Sequence, residues 1–206
     1  MYKLRYVWQS YTVKAGYESN RPFCLLLNIF YACLLPLAKA WGFFIFGVSM
    51  TGYGLISPLQ TKHYAQAVCD VLGGGEAAVR LLCETAAAET LCGTLPDKTR
   101  HGAGRGLLQC DKIAFDDVVA RSRQDSIIAL ERAFDFDLKR VEWDDLNYSP
   151  ILAMSVARLH YRLVPAQIPL SLKARAEYWK RYYNTAMGKG SIADYLFRVE
   201  ACEKYF

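Results

Sequence analysis

Residues 73–93, GGGEAAVRLLCETAAAETLCG, decide how the chain is read. Three glycines stop whatever precedes them, Glu76 puts a negative charge into the next turn, and Gly93 stands just past the far end. Acidic side chains suit the positive end of a helix, and glycine accepts the left-handed backbone that closes one. The stretch therefore predicts a helix over Glu76–Leu91. At 3.6 residues per turn, Leu82, Ala86, Glu89 and Gly93 share one face while Glu84 projects elsewhere. That leaves one carboxyl group on a face of small and apolar side chains. Partial burial there would disfavour the charged form and raise its pKa, as a general acid near neutral pH requires. The ordinary alternative is a surface glutamate on an alanine-rich helix.

Outward from this helix the pattern stays helical. His63–Leu72 is a short helix stopped by the three glycines. A loop runs from Gly93 to Gly106, and Ile113–Arg121 and Ser126–Phe136 are two more helices. Ser149 caps and Pro150 opens a helix to about Arg162, because proline has no N–H to lose at the first helical position. Leu172–Tyr183 is aromatic and basic, and Gly188-Lys189-Gly190 ends it. Ser191-Ile192-Ala193-Asp194 is a capping box for a last helix to about Lys204. No stretch alternates with period two for long enough to argue for a sheet, so the class is mostly α. His160 reads as a packing residue, and Arg158 and Arg162 as ion-pair partners of Glu142, Asp144 and Asp145.

With 206 residues and 53% hydrophobic content, the chain can bury one good core with an appendage. The division falls between a segment 1–49 and a domain 50–206. Five basic residues (Lys3, Arg5, Lys14, Arg21, Lys39) face Glu18 alone in the first segment, a net of +4 out of +5 for the chain. A basic excess confined there excludes the spread charge of a nucleic-acid binder. Phe23–Ala38 is a 16-residue apolar run, and a second continues from Ala40 to Ile56. Sixteen helical residues reach roughly 24 Å, short of a roughly 30 Å hydrocarbon core. A membrane anchor or export signal touching the bilayer through residues 23–56 is the preferred reading. A buried apolar helix or hairpin, and a product that starts at Met50, are the others. The seven cysteines (24, 33, 69, 83, 92, 110, 202) contain no C-x-x-C pair and read as small buried residues in a reducing compartment. Export would allow one or two disulfides. No metal or organic cofactor is expected.

Two further stretches attract notice. Gly102-Ala103-Gly104-Arg105-Gly106-Leu107-Leu108-Gln109 is glycine-rich without the spacing of a nucleotide loop. It is a plain flexible loop, or a backbone that must approach a ligand closely. Tyr178, Trp179, Tyr182 and Tyr183 recur at helical spacing, more often a sign of core than of a site. Even so, a tyrosine hydroxyl and the Asn184 amide at a helix end suit the wall of a sugar cleft.

Together, Glu89-Thr90, Gly106-Leu107-Leu108-Gln109-Cys110-Asp111, Ala157-Arg158-Leu159-His160-Tyr161-Arg162-Leu163-Val164-Pro165 and Tyr178-Trp179-Lys180-Arg181-Tyr182-Tyr183-Asn184-Thr185 resemble a family of phage and prophage lysozyme-like proteins. That family is similar to the lytic transglycosylases and goose-type lysozymes. The resemblance covers roughly residues 55–206, and the C-terminal stretch is its specific part. Thr90 stands where relatives have serine, Asp111 where they often have glutamate, and Lys112 where they have proline. The resemblance implies a lysozyme-like helical domain that cleaves the bond between N-acetylmuramic acid and N-acetylglucosamine in peptidoglycan. Glu89 is the implied acid, with Thr90, Gln109, Asp111, Tyr183 and Asn184 toward the glycan. Single-carboxylate transglycosylation is favoured; hydrolysis would call on Asp111 to hold water. The implied setting is a virion or the bacterial periplasm and inner membrane, with phage structural proteins as further partners. The alternative is a non-catalytic, glycan-binding or structural module of a phage particle.

Overall fold

The computed structural model describes residues 52–95, 102–186 and 188–206. The segment 1–49, its reading as an anchor or signal, and Cys24 and Cys33 lie outside the described residues. Helix α1 (Gln60–Leu72) begins three residues before the expected His63, where the Gln60 side chain accepts the Ile56 N–H at 2.8 Å. Helix α2 (Gly75–Thr90) starts on the last of the three glycines, one residue before the expected Glu76, and ends one residue before the expected Leu91. The strands β1 (Gly104–Arg105) and β2 (Cys110–Asp111) pair antiparallel, Gly104 opposite Asp111 and Arg105 opposite Cys110. This two-residue ladder, absent from the sequence reading, closes the turn 106–109.

Helices α3 (Lys112–Arg121) and α4 (Gln124–Phe134) come next, then a 3-10 turn, Trp143–Asn147. Helix α5 (Pro150–Leu163) carries the predicted cap, the Ser149 hydroxyl accepting the Leu152 N–H. The expected long helix Leu172–Tyr183 divides into α6 (Leu172–Trp179) and a widened π turn, Lys180–Asn184. Helix α7 (Ile192–Cys202) starts at Ser191, whose hydroxyl accepts the Asp194 N–H at 3.0 Å, and a 3-10 turn to Tyr205 follows.

Eleven of the sixteen residues of α2 are buried, so this helix has no solvent face of any width. Helices α1, α5, α6 and α7 all pack on it. Its alanines let those neighbours come close, and Leu81 and Leu82, both fully buried, contribute about 1.5–3 kcal/mol each by leaving water. The mostly α class holds.

Arg158 and Arg162 do not pair with the acidic run. Arg158 donates to the Gly73 carbonyl (2.9 Å) and Arg162 to the Leu72 carbonyl, where the negative end of α1 attracts cations. Of the acidic run, Asp144 pairs with Arg105 at 2.6 Å, while Glu142 and Asp145 cap the 3-10 turn. Cys69, Cys83, Cys92, Cys110 and Cys202 are buried free thiols. Among the described residues, no helix is long and apolar enough to cross a membrane.

Candidate active site

Glu89 lies half-buried in the last turn of α2. The indole N–H of Trp179, the last residue of α6, donates to its Oε1 at 3.2 Å. From α7, Arg198 donates to the Ala88 carbonyl at 2.8 Å and sets a cation at the negative end of α2. Burial dominates the Glu89 carboxyl and pushes it up to about 7, against smaller opposing effects of the Trp179 hydrogen bond and the Arg198 charge. Near neutral pH such a group exists in both forms and can give or take a proton.

Thr90, next to it, is buried and ties the helix end to the glycine loop. Its hydroxyl donates to the Leu107 carbonyl at 2.7 Å and accepts the Gly93 N–H at 3.1 Å. The next carbonyl, that of Leu108, accepts the Tyr183 hydroxyl at 2.8 Å. Two successive carbonyls of one turn are thus held by two different elements, α2 and the π turn. Burial and nearby acidic groups, Glu89 among them, push the Tyr183 phenol well above its usual range, so it remains a donor. Its ring stacks on Tyr161 at 5.3 Å, and the Tyr161 hydroxyl lies 2.8 Å from Thr85 Oγ1 on α2. Each stretch singled out in the sequence therefore reaches this one corner.

The loop itself is shaped by its own protein. Gly106 has φ +74°, and a Cβ there would sit 2.7 Å from the Leu146 carbonyl oxygen. The close approach at Gly106 is to the 3-10 turn of the same chain. Gln109 donates to the Gly106 carbonyl (2.9 Å) and to the Tyr53 hydroxyl (3.1 Å), so its amide nitrogen is engaged within the fold.

Two expected glycan residues serve local structure. Asp111 is exposed, and its carboxylate accepts the Ala114 N–H at 2.6 Å as the N-cap of α3. Asn184 accepts from Lys180 Nζ at 2.7 Å and packs beneath Gly188 and Gly190. His160 packs edge-on to Tyr183, with Nε2 2.9 Å from the Tyr182 carbonyl oxygen, as its sequence reading expected.

The helical period sets Glu84 off the Glu89 face but does not say what covers it. It is fully buried, and Arg175 of α6 clamps it through Nε to Oε2 (2.7 Å) and Nη2 to Oε1 (2.6 Å). The Tyr195 hydroxyl of α7 donates to Oε2 at 2.9 Å. The period of one helix cannot show this, because the side chains that cover Glu84 belong to α6 and α7. Trp179 was legible only as one aromatic residue among four, since its partner lies ninety residues away. Among the described residues, no group of three or more histidine, cysteine or acidic side chains is placed to hold a metal ion. No protein-family model matches the chain, and no curated protein or solved structure matches it.

Proposed function

We propose that the chain is a peptidoglycan-cleaving enzyme with a goose-type lysozyme or lytic transglycosylase fold, and that Glu89 is its acid. The observation that carries this reading is a half-buried carboxyl held by the Trp179 indole and next in the chain to Thr90, which with Tyr183 fixes the 106–109 turn; burial pushes that carboxyl up to about 7. Glu89 protonates the oxygen between N-acetylmuramic acid and N-acetylglucosamine. The C1–oxygen bond breaks through an oxocarbenium-like state. The carboxylate so formed, beside the Trp179 N–H and the Arg198 cation, then takes the proton of the muramoyl 6-hydroxyl. That oxygen closes on C1 and leaves a 1,6-anhydro end without water.

One carboxyl group serves both steps. Asp111, spent on the cap of α3, supports this route over hydrolysis, which needs a second carboxylate to hold water. The glycan strand is the partner, at the periplasm and inner membrane or on a phage particle.

Purified peptidoglycan, followed by turbidity and by mass spectrometry of the soluble products, tests the reading. The wild-type chain is expected to clear the suspension and release anhydro ends. Glu89→Gln should lower the rate by about 10²–10⁴ while the circular dichroism is unchanged. Equal clearing by that variant overturns the assignment of the acid. Binding of wild-type protein without any soluble muropeptide would leave a glycan-binding module instead.

A further inference from the structure

Glu84 and Arg175 take no part in the proposed reaction, yet they form a fully hydrogen-bonded ion pair in the core. Replacing such a pair with well-packed apolar side chains is often neutral or stabilising, so stability alone does not account for it. Its placement does. Glu84 and Glu89 lie on α2, while Arg175 and Trp179 lie on α6 one turn apart, so the same two helices meet twice. At the first meeting Arg175 grips Glu84 with two parallel hydrogen bonds, a geometry that fixes rotation as well as distance. The remaining terminal nitrogen of Arg175 donates to the Leu170 carbonyl, which ties the approach to α6 into the same lock. At the second meeting Trp179 reaches Glu89. Tyr195 joins the two: its hydroxyl donates to Glu84, and its ring lies 4.9 Å from that of Trp179.

We propose that the Glu84–Arg175–Tyr195 cluster is a positioning element, which sets the register of α6 against α2 so that the Trp179 indole stays on Glu89. The inference rests on the reading of Glu89 as the acid and supplies that site with its support. A single N–H at 3.2 Å is lost if α6 slides by a small fraction of a helical turn. The bidentate clamp, one turn earlier, resists that slide.

Full-length protein labelled with ¹³C at the glutamate carboxyls provides the test, the Glu89 signal being the one missing from Glu89→Gln. The other ionisable groups that bear on Glu89 are Arg198 on α7, Tyr161 on α5 and Tyr183 in the π turn, all unchanged in these variants. Trp179→Phe removes the donor and should move the Glu89 titration upward by about half a unit to one unit. Glu84→Gln, and Arg175→Lys where the first does not fold, should move it in the same direction. Added to Trp179→Phe, either should cause no further shift, because the effect runs through the indole.

A folded Glu84 or Arg175 variant that leaves the titration in place overturns the proposal. So does one that shifts it equally with and without Trp179. The readout needs no catalysis, so the fate of the muralytic reading is decided separately. If the wild-type chain fails to cleave peptidoglycan but the coupling is found, the positioning stands; if it cleaves and the coupling is absent, only the positioning falls.

Discussion

Glu84 and Glu89 sit five residues apart on one helix, and their surroundings differ in kind. Glu84 meets Arg175, which satisfies both its oxygens, with a tyrosine hydroxyl added and Arg80 of its own helix 3.6 Å away. Glu89 meets one indole N–H and a more distant arginine, and burial outweighs both. The difference teaches that burial does not by itself make a carboxyl group chemically useful. A close, bidentate cation commits it to structure, whereas a weak neutral donor leaves its proton free to exchange near pH 7. Helix α6 supplies both partners four residues apart, so one element separates the two uses.

The largest break in this contrast comes at Glu84. Glu84→Gln leaves the Arg175 guanidinium buried without a counter-charge, at an expected cost of about 3–5 kcal/mol in urea unfolding. A cost no greater than that of an exposed substitution would erase the distinction.

Glu89 should show a smaller effect of opposite character. Its carboxyl rises from 4.5 to about 7 on folding, so the folded state binds the proton more tightly. The stability this contributes is complete below about pH 4.5 and is lost as pH climbs through about 7, a difference of about 3 kcal/mol. Glu89→Gln should flatten that slope and be the more stable protein at pH 8. Unfolding curves taken between pH 4.5 and 8 check both statements, and a wild-type slope equal to that of the variant refutes them.

The smallest effect sharpens the same comparison from outside the helix. Asp111→Ala removes the cap of α3 and should cost about 1 kcal/mol. Cleavage of peptidoglycan should survive it, whereas a second carboxylate required for hydrolysis would not be dispensable.

Much of the helical outline was legible because its signals are local. Ser149-Pro150 and Ser191 open their helices as read, and Gly73 and Gly74 separate α1 from α2. The apolar face carrying Glu89 could also be read, since it depends only on the helical period. The π turn at Lys180–Asn184 could not: the aromatic spacing continues smoothly through it, and only packing against Leu108 and His160 rewards the wider turn. The glycine loop was recognised as constrained, but the atoms that constrain it belong to Leu146 and the 3-10 turn, forty residues downstream.

Caps, glycines and periodicity act within a few residues, so the amino-acid order alone carried the succession of helices, several of their caps, and the acidic residue near the end of α2, but not every boundary. Only the tertiary structure decided which glutamate is locked and which is poised. That choice depends on Arg175, Trp179 and Tyr195, side chains 91, 90 and 111 residues from their glutamates that chain folding alone brings to α2.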